Sequence, residues 1–196
     1  PGGGAPGGRK TEDRTGQDGF IMIADTAPGK TSSATPRPVA LTVEPDNLPE
    51  ELTRLSRWVV WRHVSSRDPD TGAIDWDKPP INARTGSLAS STNSETWSTY
   101  SDALAAYQGG GFDGIGLVLH RKETDEGPGL VGIDLDHCRD PQTGGIAAWA
   151  ADIIRVLDSY TEVSPSGEGV RIFVYGELPP AGRKKGDFEC YQTGRY

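Results

Sequence analysis

Leu130-Val131-Gly132-Ile133-Asp134-Leu135-Asp136 is the stretch on which the fold and the chemistry of this chain turn. On an extended strand, successive side chains point to opposite faces. Val131, Ile133 and Leu135 therefore enter a core, while Gly132, Asp134 and Asp136 share the other face. The two carboxylates then lie roughly 7 Å apart at Cα, from the strand rise. Two anions so close repel each other, and a hard cation such as Mg²⁺ or Mn²⁺ is the natural group to stand between them. The alternative is a pair of solvated acids at a strand end, and Asp-x-Asp by itself leaves both open.

Outward from this strand, the sequence reads as alternating strands and helices. A short helix is expected at Leu48–Leu52, and Trp58–Trp61 reads as a strand. Asp68–Gly72 forms a turn, with Ala73–Lys78 returning from it. A helix is predicted from Glu95 to Tyr107, with Ser94 as its cap and Gly109-Gly110-Gly111 as its stop. Gly114–His120 reads as a strand, and the polar connection Arg121–Gly129 leads to Leu130–Asp136. Ile146, Trp149, Ala150, Ile153, Ile154 and Leu157 recur at three and four residues, which predicts a strongly amphipathic helix over 146–157. Val170–Tyr175 and Asp187–Tyr191 complete the set. Such a mixture implies an α+β domain around a mixed, largely antiparallel sheet. The five tryptophans read mainly as core, with Trp97 and Trp149 on apolar helix faces.

Composition sets the limits. In 196 residues, 34% hydrophobic content with 26 Gly and 15 Pro suggests one folded domain diluted by a flexible segment. Residues 1–45 read as a disordered Gly/Pro-rich tail, interrupted only by Phe20-Ile21-Met22-Ile23. The domain then spans 46–196. A net charge of -8 argues against a uniformly basic nucleic-acid binder, though carboxylates that a cation neutralises contribute to it. Cys138 and Cys190 form no secreted-type framework, so a reducing cytoplasm is expected. No stretch approaches a membrane span. Opening on Pro1 and ending on Tyr196 within a strand-like pattern, the sequence reads as a fragment truncated at its C-terminal end.

Three further segments carry candidate chemistry. Ser164-Pro165-Ser166-Gly167-Glu168-Gly169-Val170-Arg171 brings small residues to the mouth of a strand. Their N–H groups are suited to an anion-binding concavity and Arg171 to a planar grip on phosphate. An ordinary hairpin turn is the competing reading. In Asp187-Phe188-Glu189-Cys190-Tyr191, alternation places Asp187, Glu189 and Tyr191 on one face, so a third carboxylate is available if this strand neighbours Leu130–Asp136. Arg183-Lys184-Lys185 is a short basic patch suited to a nucleic-acid backbone, and Lys78 reads as a strand-end charge within reach of a phosphate. His120, His137, Cys138 and Cys190 match no common zinc spacing.

Taken together and in this order, the segments resemble the archaeo-eukaryotic primase superfamily, specifically the bifunctional primase-polymerase domains of phages, plasmids and integrated elements. A hydrophobic strand ending in Asp-x-Asp is matched by Val131–Cys138, a small-residue turn entering a strand by Ser164–Arg171, and a hydrophobic-acid pair by Phe188-Glu189. Trp58–Arg62, Lys78-Pro79-Pro80, Gly111–Gly116 and Thr193–Tyr196 also look like this branch. The resemblance covers about Leu48 to Tyr196. It implies a two-module α+β primase-polymerase core with the active site between modules, and template-directed nucleotidyl transfer by a DNA primase or DNA polymerase. It further implies two divalent metal ions, Mg²⁺ or Mn²⁺, held by Asp134, Asp136 and Glu189, the catalytic residues. Ser164, Ser166, Gly167, Gly169 and Arg171 are the implied nucleotide-binding residues, with Lys78 and Arg195 as further contacts. Arg171 stands where many members carry His, and Arg binds phosphate without titrating near neutral pH. The implied partners are a DNA template and primer, nucleoside triphosphates, and a helicase domain downstream in the full-length chain. Two other functions fit the residues: a two-metal nuclease using the same acids, and a non-catalytic replication-initiation module that binds nucleic acid.

Overall fold

A computed structural model describes residues 35–121, 126–179 and 183–196. Phe20–Ile23 and most of the expected tail lie outside these residues. Within the tail's last stretch, Arg37 is paired with Asp113 at 2.6 Å, Trp76 Nε1 donates to the Thr35 carbonyl, and Val43 N donates to the Tyr107 hydroxyl.

The chain is α+β, with a three-stranded sheet, a five-stranded sheet, a two-stranded hairpin and three α-helices among the described residues. The first sheet has three antiparallel strands. Its centre is β1 (Trp58–Trp61), flanked by β4 (Pro80–Ile81) and β5 (Gly114–Leu117). Every residue of β1 is buried, because both faces of this short sheet are covered. Trp58 and Val60 join a core with Leu52, Ile81 and Leu117, and Val59 packs with Trp97 and Val118. A separate hairpin pairs β2 (Val64–Arg67) with β3 (Ile74–Asp77). The returning strand therefore pairs with a strand of its own, and not with Trp58–Trp61.

The second sheet has five strands in the order β7-β8-β6-β10-β9. They are β6 (Gly129–Leu135), β7 (Thr161–Val163), β8 (Val170–Gly176), β9 (Lys184–Lys185) and β10 (Phe188–Tyr191), and every pairing is antiparallel. As the alternation predicted, Val131, Ile133 and Leu135 point into one apolar core with Val170, Ile172 and Cys190. Helix α3 (Ala148–Leu157) covers that face through Ala150, Ile153, Ile154 and Leu157. Trp149, expected in this core, is instead 41% exposed, and Ile146 lies before the helix in a bridge to Arg139.

The other helix also begins later than its apolar spacing suggests. Ser94–Thr96 is a single 3₁₀ turn capped by Asn93, and α2 runs from Tyr100 to Gln108. Its N-terminus is fixed by a capping box: Thr99 accepts from Asp102 N, and Asp102 accepts from Thr99 N. Trp97 is thus a buried residue of the connecting segment and not of the helix. The short helix near Leu48 is α1 (Glu50–Thr53), with Leu52 buried.

Candidate active site

Gly132 is one place where the two sheets come into close contact. A Cβ at Gly132 would lie 2.7 Å from Leu119 Cδ1, so the missing side chain lets Leu119 settle against the front of β6. Leu119, Leu130 and Phe173 consequently share one core with Trp58 and Val60. Two residues further along the same face, apolar packing gives way to charge.

There, one row of residues crosses all five strands. Glu162 on β7 is opposite Arg171 on β8; Arg171 is opposite Asp134 on β6; Asp134 is opposite Glu189 on β10; and Glu189 is opposite Lys184 on β9. Directly opposed residues share a face, so the charges read −, +, −, −, + across the sheet. The central pair, Asp134 and Glu189, is a like-charge contact that costs stability unless each acid has a cation. Each has one. Arg171 Nε donates to Asp134 Oδ1 at 2.7 Å, while Lys184 Nζ and the Tyr191 hydroxyl both donate to Glu189. The Lys184 ammonium, then the Tyr191 hydroxyl, hold Glu189 below the usual carboxylate range. Burial works against the charge on Arg171, yet the adjacent Asp134 carboxylate keeps the guanidinium more basic than usual.

Asp136 lies just past the end of β6 and is anchored by its own N–H, which donates to the Asp187 carbonyl. Loss of hydration raises its pKa, and the charges of Asp134 and Glu189 add to the rise. The three acids expected to act together are therefore neighbours on one face. Oxygen donors of this kind suit Mg²⁺ or Mn²⁺. Among the described residues, however, no three acidic, histidine or cysteine side chains close on a single point as a ready cage. The reason is visible in the row: Asp134 leans toward β8 and Glu189 toward β9. Asp187 is no member of the strand. It precedes β10, and its carboxylate pairs with the exposed His137 at 3.2 Å.

The small-residue turn sits beside Asp136, as required if both serve one substrate. Its close backbone approach, however, is made to the protein itself. A Cβ at Gly169 would come 2.6 Å from the Leu135 carbonyl oxygen. The N–H groups of Gly167, Glu168 and Gly169 are engaged within the turn, by the Ser164 carbonyl, Ser166 Oγ and Ser164 Oγ respectively. Gly167 takes φ of 79°, which glycine tolerates without a steric penalty. The expected backbone cradle for an anion is therefore replaced by a self-bonded turn. It presents Ser164 and Ser166, whose hydroxyls lie 3.0 Å apart.

Beyond Arg171 opens a cavity of about 680 Å³ between the two sheets. Its lining includes the polar residues Lys78, Arg171, Glu162 and Tyr196 and the aromatic residues Trp61, Tyr160 and Phe173. Lys78 feels Arg171, Asp134 and Asp136; loss of hydration, then the neighbouring Arg171, pulls its pKa down. Glu162, poorly hydrated and bonded by the Tyr160 hydroxyl at 3.1 Å, has its carboxyl pKa pushed up by burial. Tyr196 is pushed up to about 12, mainly by burial. Arg195 lies 4.5 Å over the Tyr191 ring, next to Glu189's hydroxyl partner.

The sequence puts Lys184 in a basic patch, Tyr191 on the Glu189 face and Tyr196 in a family-like ending, but it does not show that Glu162 and Lys184 join the row, that Tyr191 bonds Glu189 or that Tyr196 lines the cavity. β7 and β9 are three and two residues long, too short to show a period of two, so the register that aligns Glu162 and Lys184 left no local pattern. Tyr191 was legible on the Glu189 face by the same alternation that found Glu189.

No family model matches the chain. Over 151 residues, 74% of the chain, it is 34% identical to a protein of Nitratiruptor phage NrS-1 named DNA Primase-polymerase. The chain spans about one fifth of that relative's length, the match covering 19% of it. Over this stretch the chain is a relative of phage-type DNA primase-polymerases.

Proposed function

We propose that this domain joins nucleotides on a DNA template, as the catalytic core of a primase-polymerase. The observation that carries the reading is the charged row beside the 680 Å³ cavity: Asp134 and Glu189 stand next to Arg171, which with Glu162 and Lys78 lines that partly aromatic space. Asp134, Asp136 and Glu189 would hold two divalent cations, which would supply activation of a 3′-hydroxyl and neutralisation of charge on the triphosphate and leaving pyrophosphate. Mg²⁺ and Mn²⁺ are the candidates.

The chain's own groups do the rest. Arg171 and Lys78 line the cavity and would meet the charge of a triphosphate there, and Ser164 and Ser166 would add hydroxyl donors from the turn. Arg195 and the β9–β10 hairpin, with Arg183, Lys184 and Lys185, give a basic border suited to the backbone of template and primer. Sequence choice is left to base pairing, so the protein needs only to grip backbone. This accords with a chain that is acidic overall. A reducing cytoplasm is the proposed setting, consistent with two free, buried cysteines. Among the described residues no helix is long and apolar enough to cross a membrane. A helicase elsewhere in a longer chain is part of the same proposal.

Incorporation of labelled nucleotide on primed and bare templates, with Mg²⁺ or Mn²⁺, tests the reading. Extension that is lost on chelation supports it. Release of nucleotides from DNA without any joining would assign the acids to a nuclease, and DNA binding with neither reaction would leave a binding module.

A further inference from the structure

The two central carboxylates of the row are drawn apart. Arg171 holds Asp134 from β8, and Lys184 holds Glu189 from β9, each on the side away from the other acid. A cation binding between Asp134 and Glu189 must draw both side chains inward, and it would lie next to two charges of its own sign. Resting on the function proposed above, we infer that Arg171 and Lys184 are resident counter-cations of the metal site, displaced when metal enters, and that displacement frees Arg171 for the triphosphate.

The geometry favours a hand-over. Arg171 lines the cavity on one side and touches Asp134 on the other, so one guanidinium borders both ligands. Glu162, opposite it on β7, is a second anion in the row that keeps the guanidinium in place once Asp134 turns away. Arg171 is then a positioning residue for the metal site as well as a substrate contact. Linkage makes the coupling reciprocal: whatever removes Arg171 from Asp134 helps the other partner of each to bind.

The test needs no turnover. Binding of a fluorescent dATP analogue is measured in EDTA, with melting curves to verify that each variant is folded. Asp134→Asn releases Arg171 and should tighten metal-free binding by about tenfold, the scale of one charge-assisted hydrogen bond. Asp136→Asn removes the same charge from the same neighbourhood without touching Arg171, and should tighten it far less. Asp134→Asn combined with Arg171→Gln should lose the gain. Equal gains in the two single variants would mean that only the local field matters and would overturn the inference. Independently, Mn²⁺ titration followed by electron paramagnetic resonance should show tighter binding in Arg171→Gln and Lys184→Gln than in the parent chain. Unchanged or weaker Mn²⁺ binding in both overturns the hand-over. A parent chain that binds no dATP even with Mn²⁺ would sink the proposed function, and the Mn²⁺ titrations would still judge the exchange of cations.

Discussion

The three-stranded and five-stranded sheets are built from similar short antiparallel strands but differ in what their faces meet. In the first, β1 is buried on both sides, and its four residues, Trp58 to Trp61, are all apolar. In the second, β6 alternates: Ile133 and Leu135 are buried under α3, while Asp134 lies on the half-open front. A sheet so covered gives the cavity an apolar wall, Trp61 included, and no charged row. One covered once, then half-covered by its neighbour, can hold charged groups at the boundary between core and solvent.

The largest expected effect tests that division on a single strand. Asp134→Asn or Asp136→Asn should abolish nucleotide joining while leaving the melting temperature unchanged or slightly raised. Leu135→Ala, between them on the covered face, should cost about 2–5 kcal/mol of stability, as for other buried large-to-small changes. Incorporation assays paired with thermal melts verify both halves. A collapse of the fold in the Asp variants would erase the distinction between the two faces.

The same contrast can be sharpened on β10. Glu189→Gln should remove joining and weaken Mn²⁺ binding. Asp187→Asn should retain much of both, because that residue holds Asp136 through its backbone carbonyl, which the substitution keeps. A next smaller effect belongs to Arg171. Arg171→Ala should raise the apparent KM for nucleoside triphosphate by about ten- to a hundredfold, from a charge-assisted bond of roughly 1.5–3 kcal/mol. Template binding should change little, and a variant that loses template but keeps nucleotide would move Arg171 out of the triphosphate site.

The smallest effect concerns Glu162 and pH. Burial raises its pKa in the folded chain, so the folded state favours the protonated carboxyl and is disfavoured once the group ionises. Glu162→Gln should therefore melt higher than the parent at neutral pH. That advantage should shrink as pH falls through the raised folded pKa and the parent carboxyl takes up its proton. Melting curves across that range decide it, and a constant offset would assign the change to packing alone.

How much of this was legible depended on segment length and burial. Seven residues of β6 were enough to show which face carries Asp134, and ten residues of α3 to show its apolar stripe. The helix at Glu95–Tyr107 was overextended because Trp97 happens to fall in phase with it. The stronger signal was Thr99-Tyr100-Ser101-Asp102, whose capping box marks the true start. Trp149 was assigned to the core on spacing, although a residue at the rim of a stripe can satisfy the period and still face water. The turn at Ser164–Gly169 was found, but glycine's role there was misassigned. Sequence shows that a backbone can be approached closely, and only the fold shows that Leu135 does the approaching.

After β10 the chain does not continue along its own sheet. Leu119 and Arg195 exchange backbone contacts, Gly194 N–H reaches the Leu119 carbonyl, and Tyr196 packs its ring where Gly116 of β5 has no side chain. The strand carrying Glu189 is thus riveted to the opposite sheet within a few residues of the acid. The segment from Glu189 to Tyr196 therefore belongs to both halves of the fold: one short piece of backbone carries an acid of the row at one end and a wall of the cavity at the other.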